Sequence, residues 1–206
     1  FIFDGINFIM SRGHRVPRQA PKNILFMEFS EAGSIVLAYA ALKRAKMVFA
    51  DAQIYFLSFA AQRPGLLMAD LLKKENIFII RNENLLLLFV TVVKSVLKIW
   101  QRKIDTVIDL ELYSRFSSSV SFLTFARNRV GFYQFSGEGL YRGRHLTCKV
   151  HYNPYTHISK NFLSLIHALE RKDVGPNYYF KDAISDDEIV SWKIPRSPMS
   201  LSSAQT

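Results

Sequence analysis

The sequence predicts an α/β fold, a Rossmann-like, doubly wound parallel sheet. Three observations carry that expectation. Short apolar runs recur along residues 23–132, of the kind a strand buried on both faces needs. Segments with helical apolar spacing separate them, and this alternation implies βαβ units with right-handed crossovers. Carboxylates and small polar residues follow the first and fourth runs, and in such sheets function collects at the carboxyl ends of the strands.

The elements are expected in this order. Residues 1–21 are a basic lead-in containing Arg12, His14, Arg15 and Arg18. The run Asn23 to Phe29 is the first strand. Gly33 then turns the chain and Ser34 caps a helix from Ile35 to Val48, where Ile35, Leu37, Ala38, Ala41, Leu42 and Ala45 keep helical spacing. Gln53 to Ser58 is the second strand, Gly65 to Lys74 a short helix and Ile77 to Ile80 the third strand. Asn84 to Arg102 is a long helix whose apolar part, Leu85 to Trp100, is too short to span a bilayer and carries Lys94 and Lys98. Thr106 to Leu110 is the fourth strand, Ser114 to Ala126 a helix and Arg129 to Phe132 the fifth strand. Tyr133 to Lys149 reads as a long connection, and His157 to Glu170 as an amphipathic helix. The main domain is therefore 22–172, with a polar linker or tail at 173–206 that starts a further domain.

Composition narrows the function. The chain has 206 residues, 49% hydrophobic and 21% charged, with 17 Phe, the balance of a folded protein. Cys148 is the single cysteine, which excludes an internal disulfide and a cysteine-cluster metal site. His145, His151 and His157 lack the spacing of a helical zinc site. The net charge of +10 favours an anionic partner: a phosphorylated sugar, an anionic membrane or nucleic acid. Nucleic acid rests on charge alone and ranks last. The start, Phe1 to Met10, is interrupted by Asp4 and Asn7 and does not read as a signal peptide. With no initiator Met, the chain is expected to be part of a longer protein.

Three constellations offer chemistry. The loop Glu28 to Ser34 has Glu28, Ser30, Glu31 and Gly33. It is neither a dinucleotide fingerprint nor a P-loop, but a carboxylate there has the chemistry of a general base toward a sugar hydroxyl, or of a complement to a helix dipole. Asp109-Leu110-Glu111, with Ser114 and Arg115, follows the fourth strand. Asp109 reads as a buried carboxylate that fixes loops, and Glu111 as the ligand contact. The stretch from Arg127 to His157 interleaves Arg129, Arg142, Arg144 and Lys149 with aromatics, which suits anionic glycans or single-stranded nucleic acid. Solvated loop cations are the plainer reading of it.

Several of these segments, in order, resemble the N-terminal half of glycosyltransferase family 9, the lipopolysaccharide heptosyltransferases. They are the strand Asn-Ile-Leu-Phe-Met with Ser30, Gly33 and Ala40-Ala41-Leu42, then Asp51-Ala52-Gln53-Ile54. Ile104 to Leu110, Arg129-Val130-Gly131-Phe132, Tyr152 to Tyr155 and His157 to Leu163 follow. The resemblance implies the GT-B architecture, with an acceptor-binding N-terminal domain and a donor-binding C-terminal domain. It implies a cytoplasmic bacterial enzyme of cell-envelope assembly, peripheral at the inner membrane. Such an enzyme transfers a heptose-like sugar, with inversion and without metal or other cofactor, from a nucleotide-sugar such as ADP-heptose to an anionic lipid A–Kdo glycolipid. The donor is expected to bind a C-terminal domain beyond this chain, which alone would be inactive. The family has Gly-Asp where this chain has Gly33-Ser34, and that Asp is taken as the base. Glu31 is the replacement base, Ser30, Gly33, Ser34 and Glu111 are substrate contacts, and Arg142, Arg144 and Lys149 hold acceptor anions. The alternative is a non-catalytic domain that binds an anionic glycan or a partner. The basic surface and the segment 85–100 would suit a peripheral membrane contact, although a helix of that kind is more often part of a core.

Overall fold

The computed structural model describes residues 20–63, 72–112, 114–134, 145–170 and 177–178. The strands are β1 (Asn23–Met27), β2 (Gln53–Phe59), β3 (Ile77–Ile80), β4 (Thr106–Asp109), β5 (Asn128–Gln134), β6 (Cys148–His151) and β7 (Asn177–Tyr178). They form one sheet in the order β3-β2-β1-β4-β5-β6-β7, and every pairing is parallel. The order runs outward in one direction from β1 and in the other from β4, so the switch point lies between those two strands.

The described helices are α1 (Ala32–Leu37), α2 (Tyr39–Val48), α3 (Leu85–Gln101), α4 (Arg115–Leu123) and α5 (Ile158–Glu170). Period-two alternation along the strands divides the core. Ile24 and Phe26 of β1, with Phe56, Ile108, Val130 and Phe132, pack with α1, α2 and α5. Leu25 and Met27, with Leu57, Phe78 and Val107, pack with Ile99 of α3 and Val120 of α4 on the other face. The doubly wound expectation holds, and the strands are apolar on both faces because helices cover both. Arg44 and Glu170 join α2 to α5 through two 2.9 Å hydrogen bonds.

Four expectations need correction. The single helix from Ile35 is two helices meeting at Ala38, whose backbone (φ −74, ψ −8) leaves the regular helical path. The first begins at Ala32, so its N-cap is Glu31, not Ser34, and Gly33 lies inside it rather than turning the chain. The connection Tyr133–Lys149 contains strand: β5 runs to Gln134 and β6 starts at Cys148. The sheet also passes residue 172, since β7 pairs with β6. The lead-in through residue 19, most of the expected helix 65–74 and the tail beyond 178 lie outside the described residues.

The amino ends of β1 and β4 are pinned by Asp105. Its Oδ2 accepts from the backbone N–H of Lys22 and of Asn23, both at 2.9 Å. We expect Asp105→Ala to destabilise the fold by about 1–2 kcal/mol, read as a lower urea midpoint, because two donors lose a charged acceptor near the surface.

Candidate active site at the switch point

Two loops leave the sheet side by side. Met27, the last residue of β1, pairs with Asp109, the last residue of β4. The loop after β1 carries Glu28, Phe29, Ser30 and Glu31; the loop after β4 carries Leu110 and Glu111.

Glu111 ties the loops together. Its Oε1 accepts from the N–H of Phe29 at 2.7 Å and of Ser30 at 2.8 Å, and its Oε2 accepts from the Ser30 hydroxyl at 2.6 Å. Hydrogen bonds to a charged acceptor contribute about 1.5–3 kcal/mol each when buried. Glu111 is itself held by Asp109, whose Oδ1 accepts from the Glu111 N–H at 3.1 Å and whose Oδ2 accepts from the Ser117 hydroxyl at 2.9 Å. Asp109 is fully buried, and these bonds satisfy it. Ser114 caps α4, accepting from Ser117 N–H at 3.1 Å.

Glu28 lies against this network and is 2% exposed. Its backbone N–H donates to Leu57 O, and its carbonyl accepts from the Ser58 hydroxyl at 2.5 Å. Its Oε1 accepts from Ser30 N–H at 3.2 Å and Glu31 N–H at 3.4 Å. Burial pushes its carboxyl up to about 8 and the charge of Glu111 adds to this, against the lowering effect of the Glu31 and Ser30 N–H groups. Glu28 is thus held neutral at neutral pH.

These loops form one wall of a cleft of about 640 Å³, lined by Glu28, Ser30, Glu31, Ser34, Leu110, Glu111 and Ser114. Leu37, Leu112, Ile158 and Phe162 supply apolar lining. Glu31 is exposed, in extended backbone (φ −140, ψ 135), and makes no side-chain cap to α1. Of the residues picked out in the sequence, Ser30, Glu31, Ser34 and Glu111 therefore come together. Gly33 is the second residue of α1, exposed and outside the lining. Lys149 sits on β6, its Nζ 4.0 Å from the centre of the Tyr133 ring, and does not line the cleft. Arg142 and Arg144 lie outside the described residues. The Arg129 guanidinium donates to the carbonyls of Ala126 and His145, both at 2.6 Å, and burial lowers it to about 10.

Ile158 and Phe162 belong to the segment expected as an amphipathic helix, and the sequence singled out neither for the site. Their place in the cleft is set by Asn161, whose side chain accepts from Asn153 N–H at 2.8 Å and donates to Asn153 O at 2.9 Å. That pair fixes the loop entering α5. Among the described residues no group of three or more His, Cys, Asp or Glu is arranged to hold a metal ion.

Glu28 makes stability depend on pH with a defined sign. Its folded pKa of about 8 exceeds the ordinary 4.5, so between those values the folded state binds the extra proton. Stability should fall as pH rises from about 5 to 8, by up to a few kcal/mol. Urea unfolding across that range checks this, and Glu28→Gln should flatten the slope.

The fold has known counterparts. No protein-family model and no curated protein matches the sequence. Among solved structures the chain is similar to a family 9 glycosyltransferase from Veillonella parvula (TM-score 0.58, 13% identity, 72% of this chain and 41% of that one). It is similar to the E. coli heptosyltransferase WaaC with ADP-2-deoxy-2-fluoro heptose (0.58, 13%, 69% and 46%). The E. coli ADP-heptose lipopolysaccharide heptosyltransferase II is also similar (0.55, 15%, 82% and 49%). The chain thus spans less than half the length of each, and it shares with these GT-B glycosyltransferases a Rossmann-like α/β fold.

Proposed function

We propose that the chain is the acceptor-binding half of a family 9-like, inverting glycosyltransferase. The observation that carries this reading is the switch-point cleft, where an exposed carboxylate, Glu31, stands beside Ser30, Ser34 and Ser114. Sugar recognition needs hydroxyl and carboxylate partners over an apolar floor, and the cleft offers both.

Glu31 takes the proton from the acceptor hydroxyl as the oxygen attacks the anomeric carbon of a nucleotide-sugar. The bond from that carbon to the diphosphate breaks on the opposite face, which inverts the centre and releases the nucleoside diphosphate. The donor, a heptose-like nucleotide sugar as in the WaaC complex, binds a further domain. The acceptor is an anionic glycolipid of lipopolysaccharide or a related surface glycan, met at the cytoplasmic side of the membrane. Its sugar hydroxyls face the carboxylates, and its anionic groups call for cations, for which Lys149, Arg142 and Arg144 are the candidates. This step needs no metal.

Glu28 competes for the role of base because its pKa suits proton transfer at neutral pH. Its side chain is buried and its Oε1 is occupied by two backbone donors, so Glu31 is favoured. A second reading, a domain that binds anionic glycan without catalysis, draws on the net charge of +10.

In the longest natural protein containing this chain, Glu31→Gln should lower kcat for sugar transfer by about 100-fold or more, while Glu28→Gln retains most of it. Transfer at a near wild-type rate in Glu31→Gln would remove Glu31 as base. Acceptor binding with no transfer by the unaltered protein would favour the binding-only reading.

A further inference from the structure

Helix α3 covers the sheet with only part of its surface. Ser95, Val96 and Ile99 are buried. Leu86, Phe89, Val93, Leu97 and Trp100 recur every three or four residues, so they share one face. That face is open to solvent: Leu86 is 74% exposed, Phe89 68% and Leu97 47%. The stripe continues onto the turn that follows α4, because Phe125, 52% exposed, stacks on Trp100 with ring centroids 5.5 Å apart. Isolated exposed apolar residues are ordinary, but a contiguous stripe marks a surface that meets something.

Charge selects the occupant. From Leu85 to Lys103 there is no Asp or Glu, but there are Lys94, Lys98, Arg102 and Lys103. Round the helix from the stripe, α3 and the edge strand β3 enclose a groove of about 290 Å³ whose lining includes Arg63, Lys74, Lys94 and Lys98 with Thr91 and Ser95. Cations and hydroxyls in one groove are the chemistry that receives phosphate. At 1.5 Å per residue, α3 is about 25 Å long, and among the described residues no helix is long and apolar enough to cross a membrane. An apolar stripe edged by lysines on such a helix suits lying in the plane of a bilayer surface.

The geometry points to α3 as a docking face for an anionic phospholipid bilayer: Leu86, Phe89, Val93 and Leu97 enter the interface and Lys94 and Lys98 meet lipid phosphates. This inference deepens the glycolipid-acceptor reading but is tested without any transfer assay, so each can fail alone.

The test is flotation of the chain with phosphatidylcholine vesicles carrying about a third phosphatidylglycerol, against phosphatidylcholine alone. The chain should float with the anionic vesicles and not with the neutral ones. Phe89→Ser/Leu97→Ser should weaken partitioning by about tenfold or more, and Lys94→Gln/Lys98→Gln by roughly 20-fold, with unchanged circular dichroism because all four residues are exposed. Failure of the unaltered chain to float with anionic vesicles overturns the proposal. So does flotation that neither pair of substitutions weakens. A dimer in sedimentation that Phe89→Ser/Leu97→Ser dissolves, without vesicle binding, would assign the face to a second copy.

Discussion

The Glu111 carboxylate is the constraint on which the candidate site depends. It reaches across the switch point and accepts from Phe29 and Ser30, residues 82 and 81 positions away. A loop leaving a buried strand exposes N–H groups that find no ladder partner. Here one side chain from the neighbouring strand's loop supplies the acceptors. The path of residues 28–31 is set by that contact, and with it the point where α1 begins and the direction in which Glu31 faces.

The arrangement concentrates acid. Glu28, Asp109 and Glu111 are all buried, and three like charges together in a weakly polarisable interior would be costly. The structure meets this by division of labour. Asp109 and Glu111 are surrounded by N–H and O–H donors, and Glu28 is held neutral by burial and by the Glu111 charge. The exposed carboxylate of the group, Glu31, is the one open to a ligand. The cleft is acidic although the chain as a whole carries a net charge of +10.

Much of the fold was legible. β3 falls at Ile77–Ile80 as read, and α3 is bounded by the expected residues, with Asn84 accepting from Leu87 N–H as its N-cap. Strands buried on both faces leave continuous apolar runs, and those are hard to mistake. β6 was missed because Cys148-Lys149-Val150-His151 alternates over only four residues and follows a Gly- and Arg-rich stretch. The start of α1 was misplaced because Ser34 is a good cap by residue type, while the actual boundary follows from the tertiary hold on residues 29–31. The site was half legible. Carboxylates after two strand ends marked the place, but which one clamps and which one opens to the cleft depends on contacts more than 80 residues apart in sequence. No local pattern encodes that.

The central claim is that the switch-point cleft, with Glu31 at its rim, is where an anionic sugar acceptor binds. The most direct measurement is a backbone amide NMR titration of the chain with a delipidated Kdo-containing core oligosaccharide. The account predicts saturable shifts concentrated at Ser30, Glu31, Ser34 and Leu112, with the amino end of β1 unmoved. Saturable shifts confined to other surfaces, with those four amides unchanged, would contradict it.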